Sequence, residues 1–178
     1  MAKSKWTVDP AHSSIDFSIK HMMISRVKGS FHDFDASVEA DPEDLTTADI
    51  EFNIDVASID TRNKDRDNHL RSDEFFDVEN YPTMTFKAKN IVRKGDNEYD
   101  VTGDLTIRGT TRSETFSVTF EGQNKDPMTG NEKAGFSGEG KINRSDYGLT
   151  WNVALETGGV VAGDEIKISL EFQFVKEA

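Results

Sequence analysis

The chain has 178 residues, with 33 acidic against 21 basic side chains, a net charge of −12 and no cysteine. That balance repels both phosphate backbones and anionic membranes and argues against nucleic-acid binding, while the missing thiols exclude disulfides, thiolate metal centres and a cysteine nucleophile. No run approaches the ~20 apolar residues of a membrane-crossing helix, and Met1 to Trp6 lack the apolar stretch of a signal peptide. The expectation is one cytoplasmic domain over residues 1–178, with no stable membrane insertion.

Alternation with period two dominates from the start. Ile15, Phe17 and Ile19 alternate with Asp16, Ser18 and Lys20, which predicts a strand near 14–21. A second is expected over 26–39, where the apolar parity flips between Phe31 and Phe34 in the manner of a β-bulge. Asp41-Pro42-Glu43-Asp44 reads as an N-cap followed by one helical turn. Further strands are expected near 47–58, 83–93, 97–108, 114–123, 133–144 and 164–175, with Gly95-Asp96-Asn97 and 126–130 as hairpin loops. Wet and dry faces alternating in this way are the mark of antiparallel pairing. One helical segment, around 61–76, is too little to cover an open sheet. Closure of about eight strands into a barrel is therefore the simplest way to bury one face, with a filled two-sheet sandwich as the alternative.

Aromatic content is carried by 12 Phe against 3 Tyr and 2 Trp. Phe has no polar handle, so these rings imply a dry core or a dry cavity. The inward parity nominates Phe17, Ile19, Phe31, Ile50, Phe52, Ile54, Met84, Phe86, Leu105, Ile107, Phe116, Val118, Phe136, Ile142 and Leu170 as lining. Leu70, Phe75 and Phe76 join them from the helical segment. Residues 61–72 hold four Lys or Arg against two Asp, a basic lip on an acidic protein. Arg66 and His69 there are candidate contacts for a polar head group, unless the charges simply pair along the helix. His21 and Arg144 fall on the inward parity as well. A buried guanidinium needs a partner, and a structural ion pair with the nearby Asp146 is the expected role. The four histidines show no metal-binding spacing, and Ser, His and Asp show no nucleophile-elbow motif, so neither a metal nor a catalytic residue is assigned.

Ordered blocks carry a further signal. They are Trp6-Thr7-Val8-Asp9-Pro10-Ala11-His12-Ser13, Val27-Lys28-Gly29-Ser30-Phe31, Asp60-Thr61, and Arg66-Asp67-Asn68-His69-Leu70. Asp73-Glu74-Phe75-Phe76-Asp77, Tyr81-Pro82-Thr83-Met84-Thr85-Phe86, Gly103-Asp104-Leu105-Thr106-Ile107-Arg108-Gly109-Thr110-Thr111 and Arg144-Ser145-Asp146-Tyr147-Gly148 follow. Together they resemble the YceI-like family of lipocalin-like, polyisoprenoid-binding proteins over nearly the whole chain. The resemblance implies an all-β, extended, eight-stranded antiparallel barrel with one short helical segment. It also implies a long apolar pocket and no catalytic activity. The expected ligand is a long-chain apolar small molecule, a polyisoprenoid or isoprenoid quinone, with no cofactor besides it. A homodimer is left open beside the monomer. The rival readings are an enzyme on a small hydrophobic substrate in the same pocket and a solid-core interaction or stress module.

Overall fold

The computed structural model describes residues 3–22, 24–150, 152 and 162–177. Its strands are β1 (Ser4–Val8), β2 (Ser14–His21), β3 (Ser25–Phe31), β4 (Phe34–Asp41), β5 (Asp44–Asp55), β6 (Ile59–Asp60), β7 (Thr83–Arg93), β8 (Glu98–Ile107), β9 (Thr110–Lys125), β10 (Glu132–Asn143) and β11 (Ala162–Lys176). One α-helix, α1 (Lys64–Arg71), stands between β6 and β7. Every pairing is antiparallel, and the sheet closes because β1 pairs with both β4 and β11.

The eleven segments make eight staves, because three staves are each built from two strands, one of them β5 with β6, which pair with β4 and β3 respectively. β1 and β2 share one stave along β11, β1 against Phe174–Lys176 and β2 against Ala162–Glu171. Pro10 interrupts them, since it has no N–H to give to a ladder; a short 3-10 turn forms instead, capped by Asp9, whose Oδ1 accepts from the Ala11 N–H at 3.0 Å. β3 and β4 share the next stave. The parity switch expected as a bulge within one strand is a break between two, at His32-Asp33. Each side then pairs with its own neighbour, β3 with β2 and β4 with β1. The break is held by the Asp55 N–H donating to the Asp33 carbonyl at 2.9 Å.

Pro42-Glu43 forms a tight turn joining β4 directly to β5, not a helical turn. The Asp41 side chain does cap, with Oδ1 accepting from the Glu43 N–H at 3.0 Å, but Asp41 and Asp44 pair across a hairpin, so no room is left for a helix. The helical segment is also shorter than 61–76. Asn63 caps α1 through Oδ1 and the Arg66 N–H at 3.0 Å, and Ser72 ends it.

The two ends of the barrel differ. At one, Trp6, Ala36, Val38, Ala40, Leu45, Ala134 and Phe174 form a compact plug of mostly small and aliphatic side chains around one indole. At the other, α1 and the turn after it lie across the opening. Arg108 fastens that turn, with Nη2 donating to the Asp73 carbonyl at 2.9 Å and Nη1 to the Gly148 carbonyl at 3.2 Å.

Candidate ligand cavity

Period-two alternation on eight closed staves sends one set of side chains to the barrel interior. They enclose a cavity of about 590 Å³, within the range of pockets that hold a small molecule. Ten of the twelve Phe line it, the exceptions being Phe34 and Phe120. Some of the rings are in contact, between neighbouring staves and also across the interior. Phe17, Phe31 and Phe76 lie at 5.4 and 6.1 Å between centroids, Phe86 and Phe116 at 5.3 Å, and Phe52 and Phe172 at 4.8 Å. Glycines make space for the rings. A Cβ on Gly29 would overlap Phe17, and one on Gly140 would overlap Phe116.

Phe17, Ile19, Phe31, Ile50, Phe52, Ile54, Met84, Phe86, Leu105, Ile107, Phe116, Val118, Phe136, Ile142 and Leu170 all face this space. So do Leu70, Phe75 and Phe76, which α1 and its following turn deliver from outside the sheet. The wall also includes residues beyond those nominated from the sequence. Ile166, Ile168, Phe172 and Phe174 continue the inner face of β11 beside Leu170, a run plain in the alternation of that strand. Val38, Ala40 and Leu45 form the closed end, and their signal is weaker because small side chains mark a face poorly.

Polar lining gathers at the other end. Lys20 and Asp65 are the only exposed lining residues among the described residues, so the mouth lies between the end of β2 and α1. His21, Thr61, Arg66, His69 and Arg144 surround it. Thr61 is buried and joins Arg66 to Asp67. Its N–H and hydroxyl donate to Asp67 Oδ1 at 2.9 and 2.5 Å, while Arg66 Nε donates to Thr61 Oγ1 at 2.8 Å and Nη2 to the Thr61 carbonyl at 2.7 Å. Arg66 therefore reaches the rim in a fixed orientation. Its Nη1 carries no protein hydrogen bond among the described residues. His69 stands 3.4 Å from Glu74 and edge-on to Phe75 at 5.0 Å between ring centroids.

Arg144 is 4% exposed, and its surroundings differ from the expected pairing with Asp146. Its Nε donates to the Gly163 carbonyl at 2.7 Å, Nη1 to the Leu149 carbonyl at 2.8 Å and Nη2 to the Ala162 carbonyl at 3.3 Å. Asp146 faces Arg112 instead, at 3.8 Å. Burial pushes the guanidinium below its usual value, and the charge of Asp164 opposes the shift. Nearby, Tyr147 is 1% exposed and donates to Glu114 at 2.5 Å; burial, and then that carboxylate, push its phenol far above the ordinary range. These groups tie the 144–149 segment to the start of β11 beside the mouth. Among the described residues no three His, Asp or Glu side chains converge as metal ligands.

A closed, eight-stranded antiparallel barrel with a deep apolar interior and one polar mouth defines a lipocalin-like architecture. The sequence profile of the YceI-like domain matches residues 6–174, and the protein belongs to that family. Its relatives include a UPF0312 protein of Staphylococcus epidermidis, 48% identical over 96% of this chain and 97% of its own length. A UPF0312 protein of Staphylococcus aureus is 45% identical with the same coverage of 96% and 97%. Among solved structures, Burkholderia cenocepacia BcnA superposes with a TM-score of 0.79 at 29% identity, covering 93% of this chain and 98% of BcnA. A YceI protein of Campylobacter jejuni gives 0.75 at 34% identity, over 89% and 90% of the two chains. A polyisoprenoid binding domain from Saccharophagus degradans, implicated in plant cell wall breakdown, gives 0.71 over 97% and 98% of the two chains; at 14% identity that likeness is one of fold.

Proposed function

We propose that the protein binds one long-chain apolar lipid, a polyisoprenoid or isoprenoid quinone, inside the barrel and stores or carries it without chemical change. The observation that carries this reading is the 590 Å³ cavity with its almost wholly apolar wall. Burying a methylene contributes ~0.8 kcal/mol, so each five-carbon prenyl unit could gain ~4 kcal/mol before ordering costs. A chain of several units would then bind tightly with few polar contacts. The polyisoprenoid binding named for the Saccharophagus degradans domain supports the ligand class through shared fold. An enzyme in the same pocket would draw on His21 and Arg144. The Arg144 guanidinium is already committed to three main-chain carbonyls, which favours the binding reading.

The polar head belongs at the mouth, with Arg66 and His69 as its nearest contacts. Delipidated protein should take up an isoprenoid quinone and a prenyl diphosphate of equal chain length, each saturably at one per chain. Arg66→Ala should weaken the diphosphate by roughly 10- to 100-fold, the worth of a hydrogen bond to a charged group, and the quinone much less. Equal losses for both ligands would remove the head-group assignment. No saturable uptake of either would remove the lipid-binding reading itself.

A further inference from the structure

The tip of the β2–β3 hairpin stands beside the mouth and is built unlike the rest of the surface. Ile24 is 85% exposed and Met22 is 44% exposed, two of the few large apolar side chains that face solvent among the described residues. Residues 20–28 hold Lys20, Arg26 and Lys28 and no acidic residue, on a chain whose net charge is −12. All three cations are exposed. Register puts them on one outer face: Lys20 lies opposite Arg26 and Ser18 opposite Lys28, while Ile19 and Val27, the alternate pair, face the cavity. Arg26 is held on that face by its Nε donating to Ser18 Oγ at 3.1 Å. Asp164, on the adjoining β11, is occupied by the Ser145 N–H and hydroxyl at 3.2 and 2.8 Å. The hairpin is also continuous with the cavity, because Lys20 and His21 belong to its lining.

The geometry points to this hairpin tip as a docking surface for an anionic lipid bilayer, which sets the mouth of the barrel against the membrane so that a lipid can pass between the two. Exposed apolar side chains with three exposed cations on the same hairpin match the interface between acyl chains and anionic head groups. The net negative charge acts at longer range and is screened beyond ~8 Å at physiological ionic strength, so at contact the local cations prevail. The purpose of the docking rests on the lipid-binding reading; the docking itself does not require a lipid in the cavity.

Flotation of the purified protein with vesicles of phosphatidylcholine, with and without phosphatidylglycerol, tests it. The protein should float with the anionic vesicles, less so as salt is raised, and only weakly with phosphatidylcholine alone. Arg26→Gln/Lys28→Gln should lower the partition by roughly 30-fold, since each cation near an anionic surface contributes about a fivefold factor. Ile24→Ser should lower it by roughly tenfold through lost apolar burial. Both changes lie on exposed positions, and an unshifted melting temperature verifies the fold. Failure of the parent protein to float with anionic vesicles would overturn the proposal, as would variants that float equally well. A concentration-dependent dimer lost in Ile24→Ser, without vesicle binding, would assign the tip to a second copy and also overturn it. A protein that floats but takes up no isoprenoid would support the docking surface and contradict the cavity reading alone.

Discussion

Leu105 sits midway along β8, 5% exposed, with Phe86 and Arg112 as its cross-strand neighbours and its side chain on the cavity wall. A tryptophan there would either crowd a filled core, at ~1–3 kcal/mol, or extend into empty space at smaller cost. Leu105→Trp is expected to shift the melting temperature by no more than ~3 °C, as a change under ~1 kcal/mol would in a chain of this size, and to lower isoprenoid uptake at least tenfold. Thermal melts and ligand titration read the two effects separately. A large fall in melting temperature with unaltered uptake would mark Leu105 as ordinary core. The inward direction of this side chain could be read from alternation. The empty space in front of it could not, because periodicity fixes a face and says nothing about the distance to the opposite wall. Arg144 shows the same limit. Its parity aims it inward, but its partners are carbonyls of Leu149, Ala162 and Gly163, groups that every residue owns and no pattern advertises.

At the scale of elements, the alternating strands were the legible part. β2 and β7 run over the residues that alternation assigns, 14–21 and 83–93, and the other long strands end within a few residues of expectation. Short elements were not legible. β1 has only five residues, and a five-residue alternation is too brief to separate from chance. The Asp41–Asp44 turn misled because Asp followed by Pro suits both a helix start and a tight turn, and the strand pairing on either side decided between them. The shared stave of β3 and β4 depends on two different neighbours, which is information held by the closed sheet alone. Glycines within strands can be sorted in the same structural terms. A Cβ on Gly103 would overlap the Lys87 carbonyl, which is backbone held in the β7–β8 ladder, whereas one on Gly140 would overlap only the Phe116 ring beside the cavity. Gly103→Ala should therefore cost more stability than Gly140→Ala, by about 1 kcal/mol or more, because a ring can turn into free space and a ladder cannot. Urea melts of the two variants decide it; equal costs would show that Phe116 has nowhere to turn.

The whole molecule is a tube stopped at one end. Its twelve-residue strands β5 and β10 have a contour of ~40 Å, and at a barrel tilt of ~40° they still extend ~30 Å along the axis. Closure leaves no free edge in the ring, Trp6 and its neighbours fill one end, and α1 with the basic rim sits over the other. An apolar interior with one polar mouth suits an apolar molecule with one polar end. That correspondence is the central claim, and mass spectrometry of an organic extract from protein purified without detergent tests it most directly. The account predicts one long-chain apolar lipid, close to equimolar with the chain and chemically unaltered after incubation. An extract without such a lipid, from protein that also fails to take up added isoprenoid, would contradict it.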